Sequence, residues 1–210
     1  MKTALINASP KEKRSASGTL FTRLQMYMGK EKIERYSWSG LAVKEDDLES
    51  VLGCDTMVIA YPLYVDGIPS NLLSCLEQVQ EFLERNPREG LPKVFVIVNN
   101  GSYEPRQSRI SVEMVENWCF KTGFDFAGAL CVGAGGMIVS EYNSIGENGP
   151  FMRVNECLRE VGDMIKSQEF KGEIKETTPA LTKSMYKIAS HRGWIIRAKK
   201  NGLSEKELGS

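Results

Sequence analysis

Four near-continuous apolar runs, each separated from the next by enough chain for a helix, constrain this sequence most. They are Thr3–Asn7, Thr56–Tyr61, Lys93–Val98 and Phe126–Val132. A strand that is apolar on both faces has to be covered on both faces, which is the signature of a parallel sheet. The intervening segments have helical spacing: Leu20, Phe21, Leu24 and Met28 within Gly18–Met28, and Leu72, Leu73, Leu76, Val79 and Leu83 within Ser70–Arg85. Further on, Ile110, Met114, Val115 and Trp118 mark Ser108–Thr122, and Val154, Leu158, Val161 and Ile165 mark Pro150–Ser167. Glu45–Leu52 reads as a short acidic helix, and the mixed segment Lys32–Trp38 as an edge strand.

Strand–helix alternation predicts an α/β fold, a doubly wound five-stranded parallel sheet with helices on both faces and right-handed crossovers. Five strands suit the order 2-1-3-4-5. A ligand crevice then lies at the carboxyl ends of the first and third strands, where the winding reverses. The most loop-like polar segments follow the first, third and fourth strands: Ala8–Ser17, Pro62–Pro69 and Asn99–Gln107. All three are expected to converge on one edge of the sheet.

Composition narrows the class. With 210 residues, 41% hydrophobic and 26% charged, the chain is long enough for one sizeable domain plus an extension, expected at 1–170 and 171–210. No stretch reaches the roughly 20 apolar residues of a membrane span, and the start lacks the apolar core of a secretion signal. The five cysteines (Cys54, Cys75, Cys119, Cys131, Cys157) are scattered without a C-x-x-C pair. They read as free thiols of a reduced, cytoplasmic protein with no metal site. The formal net charge is zero, but residues 171–210 hold nine Lys or Arg against four Asp or Glu, a local +5, which leaves −5 on the rest. An acidic body argues against nucleic-acid binding. The basic extension has Ile188, Trp194, Ile195 and Ala198 near helical spacing, and it reads as a helix that docks on the core or contacts a second copy.

The first loop, Ser9-Pro-Lys-Glu-Lys-Arg-Ser-Ala-Ser-Gly-Thr-Leu20, joins a buried strand to a helix N-terminus. Free N–H groups, the helix dipole and the hydroxyls of Ser9, Ser15, Ser17 and Thr19 make it an anion site, with phosphate as the natural guest. The spacing is neither the Walker pattern nor G-x-G-x-x-G. An ordinary N-capped helix after a polar loop has the same composition. The second loop, Tyr61-Pro-Leu-Tyr-Val-Asp-Gly-Ile-Pro69, ends its strand at Pro62, which lacks an N–H, and offers Leu63, Tyr64 and Val65 to the crevice. An aromatic and apolar group beside a phosphate site suits a planar ring. In the third loop, Asn99-Asn100-Gly101-Ser102-Tyr103, the amides can meet a heterocycle edge, Gly101 permits close approach and Tyr103 can cover a ring face.

Taken together, these three loops resemble the flavodoxin-like NAD(P)H-dependent FMN reductases and quinone reductases over residues 1–167. The resemblance implies FMN as cofactor, NAD(P)H as cosubstrate, a small-molecule electron acceptor such as a quinone or flavin, and a homodimer. It places Ser9, Lys11, Ser15, Ala16 and Ser17 at the FMN phosphate, and Pro62, Leu63, Tyr64 and Val65 against the isoalloxazine. Asn99, Asn100, Gly101 and Tyr103 fall near the pyrimidine edge and ribityl chain. The sequence departs from the pattern at the charged insert Glu12-Lys13-Arg14, at Ala16 and at Asn99-Asn100. No catalytic acid or base is implied, because the flavin carries the electron chemistry. The only histidine, His191, lies in the extension. The alternatives are a flavodoxin-type electron carrier without nicotinamide activity and a flavin-free binding module. Gly133-Ala-Gly-Gly136 reads as another close-approach turn, and loop 140–149 as either a surface connection or a lid.

Overall fold

The computed structural model describes residues 1–11, 13–141 and 149–204. The expected lid segment 140–149 falls almost wholly outside them. In chain order the elements are β1 Lys2–Asn7, α1 Ala16–Met28, β2 Lys32–Ser37, α2 Glu45–Leu52, β3 Thr56–Pro62 and α3 Ser70–Arg85. They continue with β4 Lys93–Asn99, a 3-10 turn Pro105–Ser108, α4 Arg109–Thr122 and β5 Phe126–Val132. The chain then forms α5 Gly135–Glu141, α6 Met152–Ser167, β6 Ile174–Thr177 and α7 Lys183–Lys200. All strands pair in parallel in the order β2-β1-β3-β4-β5-β6. None of the described helices is long and apolar enough to cross a membrane.

The order of the first five strands matches the expectation, and the sixth strand corrects it. β6 lies in the segment expected to be a helical extension. Of its four residues only Thr177 is buried; Ile174 and Lys175 are half-buried and Glu176 is exposed. A short, charged edge strand carries no apolar run to announce it. To reach β5, the chain passes so close that a Cβ at Gly128 would lie 2.7 Å from the Glu173 carbonyl oxygen, and Gly128 has φ +130°. At this point the register between β4 and β5 shifts. The shift is a bulge that moves the alternation by one, so Ala127 shares a face with Leu130 and Val132.

The sheet separates two cores. On one face, Ile6, Met57, Ile59, Tyr61, Val94, Val96 and Val98 pack against α2, α3 and α4. On the other, Leu5, Val58, Ala60, Phe95 and Ile97 pack against α1, α5 and α6 through Leu20, Leu24, Ile138, Leu158 and Val161. Each fully buried Leu contributes about 2 kcal/mol of apolar burial. α4 differs from its expected stripe: Val112, Val115, Trp118 and Cys119 are buried, whereas Ile110 and Met114 face outward. α7 differs more. Ala198 is its only buried residue, and Ile188 and Trp194 are exposed rather than docked on the core.

Candidate functional site

The carboxyl ends of β1, β3 and β4 and the first turns of α1 and α5 enclose an open cleft of about 160 Å³. Its lining comes from the three expected loops and from Gly135 and Gly136.

Asn7, the last residue of β1, shapes the first loop. Its Oδ1 accepts from the Ser9 N–H at 3.1 Å and its Nδ2 donates to Ser15 Oγ at 3.3 Å. The Ser9 hydroxyl in turn accepts from the Lys11 N–H at 3.3 Å. Ser15 is the N-cap of α1, accepting from the Gly18 N–H at 3.0 Å, so the helix starts at Ala16 rather than at Gly18. The N–H groups of Ala16 and Ser17, in the first turn, have no protein acceptor among the described residues. With the helix dipole behind them, they form an anion-binding end that faces the cleft.

Loops one and three are joined. The side-chain amide of Asn99 donates to Ser17 Oγ at 2.9 Å and to the Tyr61 carbonyl at 3.1 Å. Its donors are thus used inside the protein, as are those of Asn100, which reach Ser108 Oγ at 2.9 Å and the Glu104 carbonyl at 3.2 Å. Asn100 Oδ1 is buried without a protein partner. Such an atom loses its hydration and gains nothing until a donor arrives.

In the second loop, Leu63 N–H donates to the Asn99 carbonyl at 2.8 Å, fixing Pro62 and Leu63 beside the third loop. Tyr64 and Gly67 then exchange backbone hydrogen bonds across a tight turn. Val65 and Asp66 at its tip have φ +48° and +60°. Val65 is fully exposed and lies outside the cleft lining.

Eleven of the thirteen residues singled out in the sequence line this cleft: Ser9, Lys11, Ser15, Ala16, Ser17, Pro62, Leu63, Tyr64, Asn99, Asn100 and Gly101. Val65 and Tyr103 do not. Tyr103 turns toward the C-terminal segment, donating to the Leu181 carbonyl at 2.6 Å. Sequence reasoning missed Asn7, whose signal was an Asn closing a buried strand just before Ala-Ser-Pro, whereas Gly135 was read as part of a close-approach turn without being placed in the cleft. A Cβ at Gly135 would sit 2.9 Å from the Asn100 carbonyl oxygen, so only glycine lets α5 begin here. Among the described residues Lys11 is the only charged one in the lining, and His191 is not part of it.

A larger open hollow of about 600 Å³ lies at the opposite edge of the sheet, lined by residues of the α2 and α3 carboxyl ends such as Glu49, Cys54 and Arg88. Arg88 there is paired to Glu49 at 2.9 Å, and burial pushes the Cys54 thiol up to about 11. Open parallel sheets bind ligands at the carboxyl edge, and the chemistry follows that edge rather than the volume.

The chain is similar in structure to an NADPH-quinone reductase from P. pentosaceus, with TM-score 0.56 and 14% identity over 79% of this chain and 98% of that one. An NAD(P)H:quinone oxidoreductase from Methanothermobacter marburgensis gives TM-score 0.56 and 14% identity, covering 79% and 96%. An NADH:FMN oxidoreductase in its apo form gives 0.56 and 12%, covering 82% and 91%. The fold is flavodoxin-like. No family model and no curated protein matches the sequence.

Proposed function

We propose that this flavodoxin-like chain is an FMN-dependent oxidoreductase that takes electrons from NAD(P)H and gives them to a small acceptor such as a quinone or a flavin. The observation that carries the reading is the convergence of two unlike features in one cleft. One is a helix N-terminus with unpaired Ala16 and Ser17 N–H groups. The other is the wall formed by the hydrogen-bonded Pro62–Tyr64 and Asn99–Gly101 loops, where Asn100 Oδ1 is buried without a protein partner. A phosphate at one end and a planar ring bearing an N–H donor at the other fit this donor set. The names of the structural neighbours, quinone reductases and an NADH:FMN oxidoreductase, support the same reading.

The residues then divide the work. Ala16 and Ser17 N–H groups, with Ser9 and Lys11 beside them, hold the phosphate. Leu63 and Tyr64 lie against the ring, and Asn100 Oδ1 accepts from its edge. The bound flavin supplies two-electron chemistry between nicotinamide and acceptor. The cleft is open, so one ring face stays accessible to a second planar molecule. No proton has to be moved by the lining. A homodimer goes with this reading, and the exposed Met185, Ile188, Trp194 and Ile196 of α7 are the surface it would cover. A basic helix beside an acidic body gives two copies complementary charge, and a monomeric light-scattering mass would remove this part.

The test is anaerobic titration of the flavin-stripped protein with FMN, then with NADPH and NADH. Saturable binding followed by bleaching of the flavin absorbance is expected. Binding without bleaching would move the assignment to an electron carrier, and absence of binding would overturn it.

A further inference from the structure

α7 buries one side chain, yet the polar groups of its first turn converge on one loop of the cleft. Tyr186 Oη donates to the Gly101 carbonyl. Its ring packs on Tyr103 with centroids 5.8 Å apart, and Tyr103 Oη donates to the Leu181 carbonyl at 2.6 Å. Lys183 Nζ lies 2.7 Å from Glu104 Oε1 and, by donating to it, holds that carboxyl below its ordinary range. If α7 were only a tail at rest on the surface, its contacts would be spread over the body. Those of Lys183 and Tyr186 fall on Gly101, Tyr103 and Glu104.

The consequence for the loop follows from peptide geometry. A planar trans peptide holds its N–H opposite its carbonyl. The Asn100 carbonyl is pinned by the Gly135 N–H at 2.6 Å, and the Gly101 carbonyl by the Tyr186 hydroxyl. The N–H groups of Gly101 and Ser102 therefore point away from those partners, and neither has a protein acceptor among the described residues. Two adjacent free donors, each held by its own pinned peptide, offer hydrogen bonds to an electronegative ring edge.

We infer that Tyr186 is a positioning residue of the cleft: its hydroxyl fixes the Gly101–Ser102 peptide and so sets how the third loop meets its ligand. The identity of that ligand rests on the flavin reading, whereas the clamp itself does not. Without the hydroxyl, the Gly101 carbonyl is free to rotate, and the Ser102 N–H loses its fixed direction while the Gly101 N–H keeps its own.

Tyr186→Phe keeps the ring on Tyr103 and removes only the hydrogen bond. Three measurements on the full chain test it against wild type and against Ser184→Ala, an exposed change on the same helix. First, amide exchange of Ala134 and Gly135 in the ligand-free protein reports loop position, because these N–H groups donate to Ser102 and Asn100 at 2.6 Å. Exchange at least fivefold faster in Tyr186→Phe is expected, with global stability unchanged. Second, FMN affinity is expected to fall about tenfold. Third, the potential of the bound flavin is expected to move negative, since free N–H donors favour the more negatively charged form. A tenfold preference between the two forms corresponds to about 30 mV for a two-electron couple. Unchanged exchange overturns the clamp whether or not FMN binds. Faster exchange in a protein whose wild type binds no FMN upholds the clamp and overturns the flavin reading. Faster exchange with unchanged affinity and potential overturns the link from clamp to ligand.

Discussion

The Asn99 side-chain amide donates to Ser17 Oγ at 2.9 Å, although the two residues lie 82 positions apart in the chain. This bond and its partner to the Tyr61 carbonyl hold the carboxyl end of β4 against the first turn of α1. Both sides of the cleft therefore keep their spacing before any ligand arrives.

Asn99→Ala is expected to leave the buried Ser17 Oγ without its donor and the Tyr61 carbonyl with one donor fewer. The expected cost is about 1–3 kcal/mol of stability, read from urea midpoints. FMN affinity is expected to fall as well, because the phosphate end and the ring slot lose their common brace. An unchanged midpoint would show that the bridge does not contribute.

Acid stability is expected to depend on Glu34. Its carboxylate accepts from Tyr36 Oη at 2.6 Å and Ser50 Oγ at 2.9 Å, and lies 3.1 Å from Lys2 Nζ. The Tyr36 hydrogen bond first, then those from Ser50 and Lys2, lower its pKa from 4.5 to about 2. A depressed carboxylate contributes stability that is complete above pH 4.5 and lost as pH falls toward about 2. The stability gap between wild type and Glu34→Gln is expected to be constant near neutrality and to close across that window. Thermal midpoints measured from pH 6 to pH 2 (an assay range of about four units) check it, and a gap that persists at the acid end would refute the assignment.

The parts of this fold that were legible in the sequence are those in which burial dictates residue type. β3 and β4 are apolar on both faces because helices cover both, and their ends were readable to within one residue. β6 was not legible, since Ile174-Lys-Glu-Thr at an edge needs only one buried face and obtains its order from β5. α5 was hidden by Gly135-Gly136, which reads as a turn on propensity and is required by the nearness of the Asn100 carbonyl. The cleft residues were legible because three loops had to meet where the winding reverses. Their individual roles were less so. Asn99 and Asn100 offered amide donors on paper, but the fold consumes those donors and leaves Asn100 Oδ1. Tyr103 was read as a ring cover because nothing local signals that residues 181–186, nearly 80 positions later, engage it.

Two glycines of the cleft are expected to respond oppositely to alanine. A Cβ at Gly101 meets no protein atom within 4 Å, so Gly101→Ala is expected to leave stability within about 0.5 kcal/mol of wild type and to weaken FMN binding. Gly135→Ala forces a Cβ to 2.9 Å from the Asn100 carbonyl oxygen and is expected to cost about 1–3 kcal/mol. Chemical denaturation paired with FMN titration separates them. Full affinity in Gly101→Ala would place the ligand away from this loop.

Val65 carries the last expectation. A β-branched residue at φ +48° is strained, and with full exposure Val65 gains no burial in return. Relieving that strain with Asn, which tolerates the left-handed region, is expected to stabilise the protein by about 1 kcal/mol. If the strained tip serves only the turn, Val65→Asn changes nothing else. If the exposed side chain closes over a bound ring, the same substitution weakens FMN while raising the unfolding midpoint. The cleft places Tyr64 in its wall with Val65 next in the chain, so the second result is expected. A raised midpoint with unaltered FMN affinity would show that Val65 stands clear of the ligand as well as of the cleft wall.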